Sequence, residues 1–198
     1  MSATGGLSKR ADAVSNRARL LTVAQAVFAE AGLDLEVNDI ASRAQLGVGT
    51  LYRHFGSRED LLHAIVMQTV EDAQVQIRQA IQPYADDPRA ALQALVSAGL
   101  RVQQQYRPLF ATMRDQRLTR LFDAAQREAM LTLVLEPARW VIERGIQAGI
   151  FRQDLDHDLA AATIIGALTG VFDLLGKSCS LDELEQRLTP LLWTMLTK

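Results

Sequence analysis

A chain of 198 residues with 48% apolar content is long enough for one sizeable core, or for a small module beside a larger domain. Its formal net charge of −2 excludes a polycation that coats nucleic acid along its length, so any such surface must be local. The single cysteine, Cys179, excludes an intrachain disulfide, and no apolar signal-peptide core follows Lys9 and Arg10, so a soluble, cytoplasmic chain is expected.

The apolar spacing is helical throughout, without strand alternation or repeats. Residues 1–15 are small and polar and read as a flexible arm. A helix is expected over about 16–31, where Leu20, Ala24, Val27, Phe28 and Ala31 share one face. A second follows at about 37–44, with Val37, Ile40, Ala41 and Ala44 as its buried stripe, then a tight turn over Gln45–Gly47. The third is short, about 48–54, with Leu51 and Phe55 pointing inward. Ser57 and Asp60 resemble a capping box that opens the fourth helix, whose inner face continues through Leu62, Ile65, Val66 and Thr69.

Pro83 and the pair Asp87-Pro88 end that helix and start the next. Further helices are expected over 88–104, 106–115 and 118–148, the last bent at Pro137. Asp156 caps a helix ending near Gly176, and Ser180 with Glu183 opens the final one, to about Leu196. The fold class is therefore all-α, with about nine helices. The most apolar stretch, Leu159 to Phe172, is too short to span a bilayer.

The local basic surface lies in the second and third helices. From Ile40 to Arg58 there are Arg43, Arg53, Arg58 and His54, and no acid. Two short helices joined by a tight turn form a helix-turn-helix, whose second helix fits the DNA major groove, about 12 Å wide. Ile40, Ala41, Leu46 and Leu51 supply its internal core. Thr50, Arg53 and His54 are left facing outward, Tyr52 can direct its hydroxyl to a phosphate, and Arg58 can reach the DNA backbone.

The segments Asp39-Ile40-Ala41, Gly49-Thr50-Leu51-Tyr52-Arg53-His54-Phe55 and Arg58-Glu59-Asp60-Leu61-Leu62, with Ala26 to Gly32 upstream, resemble the tetracycline-repressor (TetR) family of bacterial regulators. The resemblance covers about residues 16–65. It implies DNA contacts from Asn38, Arg43, Val48, Gly49, Thr50, Tyr52, Arg53, His54 and Arg58. Three positions depart from the family pattern. Glu36 and Gly47 stand where Ser or Thr commonly caps a helix, and Gln45 stands where the turn usually has Gly, which costs backbone strain at positive φ.

Three domains are expected on this reading: the arm at 1–15, the helix-turn-helix domain at 16–60, and a ligand-binding and dimerisation domain at 61–198. The resemblance implies a repressor released from its operator when a small molecule, of unknown identity, binds in the C-terminal helices. Candidate pocket residues are Phe110, Met113, Trp140 and Phe172, with Arg114, Glu143 and Asp173 as polar anchors.

The helix over 156–176 is apolar nearly all round, so it needs cover on most sides. Ala162, Gly166 and Gly170 recur every four residues as a strip of small side chains, and the last helix adds Leu184, Leu188, Leu191, Leu192 and Met195. Two such helices from each chain would form a two-fold, four-helix interface. The homodimer would read a near-palindromic double-stranded operator. The competing reading is an architectural or division-control DNA-binding protein without an effector. An all-helical enzyme using Glu143 or Asp173 ranks last, since no paired acid and base is visible. His54, His63 and His157 show no metal-ligand spacing and no phosphate loop or nucleophile elbow occurs, so neither metal nor cofactor is expected.

Overall fold

The computed structural model describes residues 4–113, 120 and 122–197, the side chains of residues 4–14 and 111–113 excepted. Among them are nine α-helices: α1 (Thr4–Ala31), α2 (Val37–Arg43), α3 (Val48–Phe55), α4 (Arg58–Ile81), α5 (Pro88–Gln105), α6 (Arg107–Met113), α7 (Ala124–Gln147), α8 (His157–Leu175) and α9 (Leu181–Leu196). Two single 3-10 turns, at Gly32–Asp34 and Gln82–Tyr84, complete the order.

The chain divides into two compact units, the first formed by Met1–Thr69 with Pro108–Asp123 and the second by Val70–Arg107 with Ala124–Lys198. In the first, α1 packs on α2 and α3. Leu20, Ala24, Val27 and Phe28 of α1 meet Ile40 and Ala41 of α2, Leu51 and Phe55 of α3, and Leu61, Leu62, Ile65 and Val66 of α4 in a buried core. Each large side chain removed from such a core costs about 2–5 kcal/mol.

Two boundaries differ from the sequence reading. Helix α1 begins at Thr4, so residues 4–15 are helical and not a loose arm. No proline precedes Pro83, and once the apolar face of α1 has nucleated the helix, each further turn is easily added. The first unit also reaches past residue 60 to Thr69 and takes back residues 108–123. The reason is that the early part of α4 points Leu61, Leu62, Ile65 and Val66 into that core.

In the second unit α5 lies against α7, α8 and α9. Leu92, Leu95, Val96 and Leu100 of α5 pack with Ala138, Val141, Ile142, Ile164, Leu168, Leu184, Leu188 and Leu192. Gly99 permits the close approach of α8: a Cβ there would sit 2.8 Å from a methyl of Leu168. The helix starts follow the expected chemistry. Asp87 accepts from the amides of Arg89 and Ala90, Asp156 from those of Asp158 and Leu159, and Ser180 and Glu183 form a reciprocal capping box. Helix α7 starts at Ala124, later than the expected residue 118, and carries Pro137 inside it.

Helix α8 is 19 residues long with a mean hydropathy of 1.6, enough by length and composition to cross a membrane. It is half embedded instead. Ala160, Ala161, Ile164, Leu168 and Phe172 enter the core, while Leu159 and Leu174 on its other side remain 67% and 81% exposed.

Candidate nucleic-acid interface

The interface is built on the α2–turn–α3 segment. Ile40, Ala41 and Ala44 bury one side of α2, and Leu51 and Phe55 bury one side of α3. The turn between them closes through backbone bonds from Gln45 N to Ser42 O (3.0 Å) and from Leu46 N to Ala41 O (2.9 Å). Gln45 has φ 53°, the only non-glycine residue in the left-handed region among the described residues. This is the strain expected of a side chain where a glycine would fit more easily.

Neither α2 nor α3 has a side-chain cap at its start. Glu36 and Gly47 hold extended backbone there and offer no cap hydrogen bond. The first amides of a helix carry partial positive charge and suit an anion such as phosphate. A Cβ added at Gly47 or Gly49 would meet nothing within 4 Å, so the backbone there is open to close approach.

With Leu51 and Phe55 inward, the opposite side of α3 is left to solvent. Tyr52 is 41% exposed although aromatic. Gly49 and Arg53 are exposed, and Val48, Thr50 and His54 are half-buried beside them. Asn38 is exposed at the start of α2. These seven residues of the sequence-derived set lie on the helix-turn-helix with their side chains, or open backbone, available to a ligand.

Arg43 and Arg58 are engaged within the protein. Arg43 binds Glu30 of α1 with both terminal nitrogens, at 2.9 and 2.8 Å, and its Nε donates to Asp39 at 3.0 Å. The hydrogen bonds from Arg43 hold the Glu30 carboxyl below its ordinary pKa of 4.5, and the same bonds raise that of the guanidinium. Arg58 donates to the carbonyl oxygens of Leu33 and Leu35. It therefore ties the start of α4 to the α1–α2 connection. The box of Ser57 and Asp60 fixes the same helix start, with Asp60 N donating to Ser57 Oγ at 3.0 Å and Ser57 N to the Asp60 carboxylate at 3.1 Å.

Sequence reasoning missed Arg17 and Glu30. The Arg17 guanidinium lies 5.1 Å from the centre of the Phe55 ring, a cation–π contact that fastens α1 to the last turn of α3. The Asp39–Arg43 pairing was legible as an i,i+4 spacing, but the 13-residue separation of Glu30 and Arg43 gave no signal.

The residues expected to line a pocket stand in different settings. Phe172 is buried in the second unit, with the Arg107 guanidinium 5.8 Å from its ring centre. Trp140 is half-buried between Arg78 and Arg144, whose guanidiniums stand 5.7 and 5.5 Å from its ring centre. Glu143 is exposed and Asp173 half-buried. Phe110 belongs to the first unit, while Arg114 and the side chain of Met113 lie outside the described residues. Two clefts of about 300 and 330 Å³ open beside α5 and α9, sharing Gln93 and Glu185, and neither is lined by any of these candidates.

The candidate dimer residues separate into two groups. Ala162 and Gly166 are exposed and Gly170 partly so, and a Cβ at either glycine would meet nothing within 4 Å. Leu191 is 69% exposed. Leu184, Leu188 and Leu192 face the chain's own core instead, at 1%, 4% and 3% exposure. The reason is helical geometry. They recur at spacings of four on the side of α9 that packs on α5, whereas Leu191 lies off that stripe.

Residues 20–65 match the family model described as bacterial regulatory proteins, tetR family. The chain is 32% identical over 149 residues to the HTH-type transcriptional repressor KstR2 of Rhodococcus jostii, covering 73% of this chain and 72% of that protein. It is 29% identical over 156 residues to KstR2 of Mycobacterium tuberculosis, covering 73% and 74%. The fold is similar to the crystal structure of the TetR family transcriptional regulator PfmR from Thermus thermophilus, with a TM-score of 0.67, 25% identity, and coverage of 88% of this chain and 94% of that one.

Proposed function

Since the chain belongs to the TetR family and is a DNA-binding transcriptional regulator, we propose that it is a repressor that reads a near-palindromic operator as a homodimer and leaves it when a small molecule binds. Groove contacts come from Val48, Gly49, Thr50, Tyr52, Arg53 and His54, with Asn38 beside them. The observation that carries this reading is the division of α3: Leu51 and Phe55 are buried while Tyr52 is 41% exposed on the opposite side. A helix that enters the major groove presents to the bases the side opposite its core, which is where Tyr52 stands. Arg43 and Arg58 shape the module from within.

The dimer uses the exposed side of α8, through Leu159, Ala162, Gly166, Gly170 and Leu174, together with Leu191 of α9. Large exposed apolar patches mark interaction surfaces, and small residues let two helices approach closely. Repression is supported by kinship with KstR2, which is named a repressor, and a small-molecule effector by the fold likeness to RolR, whose structure holds resorcinol. The protein acts where the chromosome is, in the cytoplasm.

Selecting fragments from random duplex DNA with the purified protein, with and without candidate effectors, tests the proposal. Enrichment of a near-palindrome with half-sites about one helical turn or a multiple apart is expected, and an effector should abolish it. Asymmetric or sequence-independent recovery would favour the architectural reading.

A further inference from the structure

Helices α5 and α9 pack in the second unit through their leucine stripes. Beside that seam each carries a second stripe at spacings of four: Arg89, Gln93, Ser97 and Arg101 on α5, and Glu185, Thr189 and Trp193 on α9. The Arg89 guanidinium lies 5.3 Å from the Trp193 ring centre, and Gln93 Nε2 donates to Glu185 Oε1 at 3.0 Å. The bridging residues of α5 are one turn apart, about 6 Å, while those of α9 are two turns apart, about 12 Å. Thr189 stands midway along the longer span, and a cleft of about 300 Å³ opens beside it.

The Thr189 hydroxyl is buried and has no hydrogen-bond partner among the described residues. Helical threonines elsewhere in the chain behave otherwise: Thr22, Thr69, Thr163 and Thr194 each donate to the carbonyl four residues back. A buried hydroxyl without a partner costs free energy that an acceptor placed in the cleft would recover. Arg89 is exposed, and its guanidinium rests on the Trp193 ring with no carboxylate partner among the described residues. Glu185 lines this cleft and also the adjoining one of about 330 Å³, where Arg101 stands. Across both clefts two guanidiniums therefore meet a single carboxylate, an excess of one positive charge. Pro190 and Trp193 supply an apolar wall.

We propose that the cleft between α5 and α9 binds a small organic monocarboxylate. Its carboxylate sits on the Arg89 guanidinium, which suits a planar anion because two N–H donors can point at it in parallel. Its apolar body lies against Pro190 and Trp193, and the Thr189 hydroxyl donates to it. One negative charge matches the excess of the lining. The volume falls at the lower end of the range of about 300–1,000 Å³ that holds small ligands. Leu191 lies about 200° from Trp193 around α9, so the cleft opens away from the side of α9 assigned to the dimer. The site is independent of how α3 meets DNA.

The test titrates benzoate, a simple ring-bearing monocarboxylate, into the full chain by calorimetry. In Trp140→Phe the remaining tryptophan is Trp193, so its emission reports the cleft directly. Saturable binding in the millimolar range or tighter is expected, with a matching change in Trp193 emission. Benzyl alcohol and benzylamine keep the ring but lack the carboxylate, and should bind more weakly by about tenfold. Arg89→Gln should weaken benzoate binding by about the same factor, and Thr189→Val by less. Glu185→Gln removes a like charge and should strengthen it. Thermal melting shows whether each variant is folded. No saturable response to benzoate would overturn the proposal, as would undiminished affinity in a folded Arg89→Gln or equal binding of benzylamine. If Arg89→Gln does not fold, the sign in Glu185→Gln decides, since weaker binding there would overturn the assignment.

Discussion

The guanidinium of Arg43 grips the carboxylate of Glu30 with two parallel bonds, at 2.8 and 2.9 Å, so the second helix of the reading module is clamped to α1. A bidentate pair of this kind fixes orientation as well as distance. Its value is positional, because both groups are solvent-exposed and exposed pairs add little to stability.

The pair makes stability depend on pH. The Glu30 carboxyl is held below its ordinary value of 4.5 by Arg43, so its contribution is present above about pH 4.5 and is lost as pH falls through the lowered value. Glu30→Gln should melt slightly below the wild type at pH 7, and the two curves should converge as the pH drops well below 4.5. Parallel curves over that range would remove the clamp from the account.

Tyr52→Ala and His54→Ala should weaken operator binding while leaving the melting temperature nearly unchanged. A good base contact is worth about 1–3 kcal/mol, and a two-fold dimer forfeits it in both half-sites. Fluorescence anisotropy with a labelled duplex, alongside thermal melting by circular dichroism, separates the two effects. Wild-type affinity in both variants would mean that another surface reads the DNA.

Arg58→Ala should act on stability more than on binding. Its guanidinium donates to the carbonyls of Leu33 and Leu35, and a hydrogen bond to a charged group contributes about 1.5–3 kcal/mol when buried, less at this half-buried site. The melting temperature should fall and the salt slope of operator binding should stay as in the wild type. A slope reduced by about one unit at unchanged stability would restore Arg58 as a phosphate contact.

Two leucines of α9, three positions apart, should have opposite effects. Leu191→Glu places a charge on a side chain that is 69% exposed and should split the dimer without unfolding the monomer. Leu188→Ala empties a site that is 4% exposed and should cost about 2–5 kcal/mol of fold stability. Gly166→Arg should behave like Leu191→Glu, because space beside Gly166 is open within its own chain. Sedimentation at micromolar concentration reads association and thermal melting reads the fold. A wild-type monomer under those conditions would remove the proposed interface.

The helices and the reading module were legible in the residue pattern. Apolar residues at spacings of three and four, and capping residues such as Asp87, Asp156 and Ser180, act within a few positions of themselves, so the pattern states its own outcome. The inward Leu51 and Phe55 and the outward Tyr52 were legible for the same reason, as was the left-handed backbone at Gln45. Tertiary structure decided what depends on distant partners. Arg43 and Arg58 look like free cations until Glu30 and the Leu33 and Leu35 carbonyls are brought beside them. Leu184, Leu188, Leu191 and Leu192 are alike in sequence, yet only the packing of α9 on α5 turns three of them inward and leaves Leu191 in water. A helical period shows that a stripe exists. Which side of a helix apolar nearly all round meets its own core, and which is left for another molecule, is fixed only when every helix competes for the same buried space.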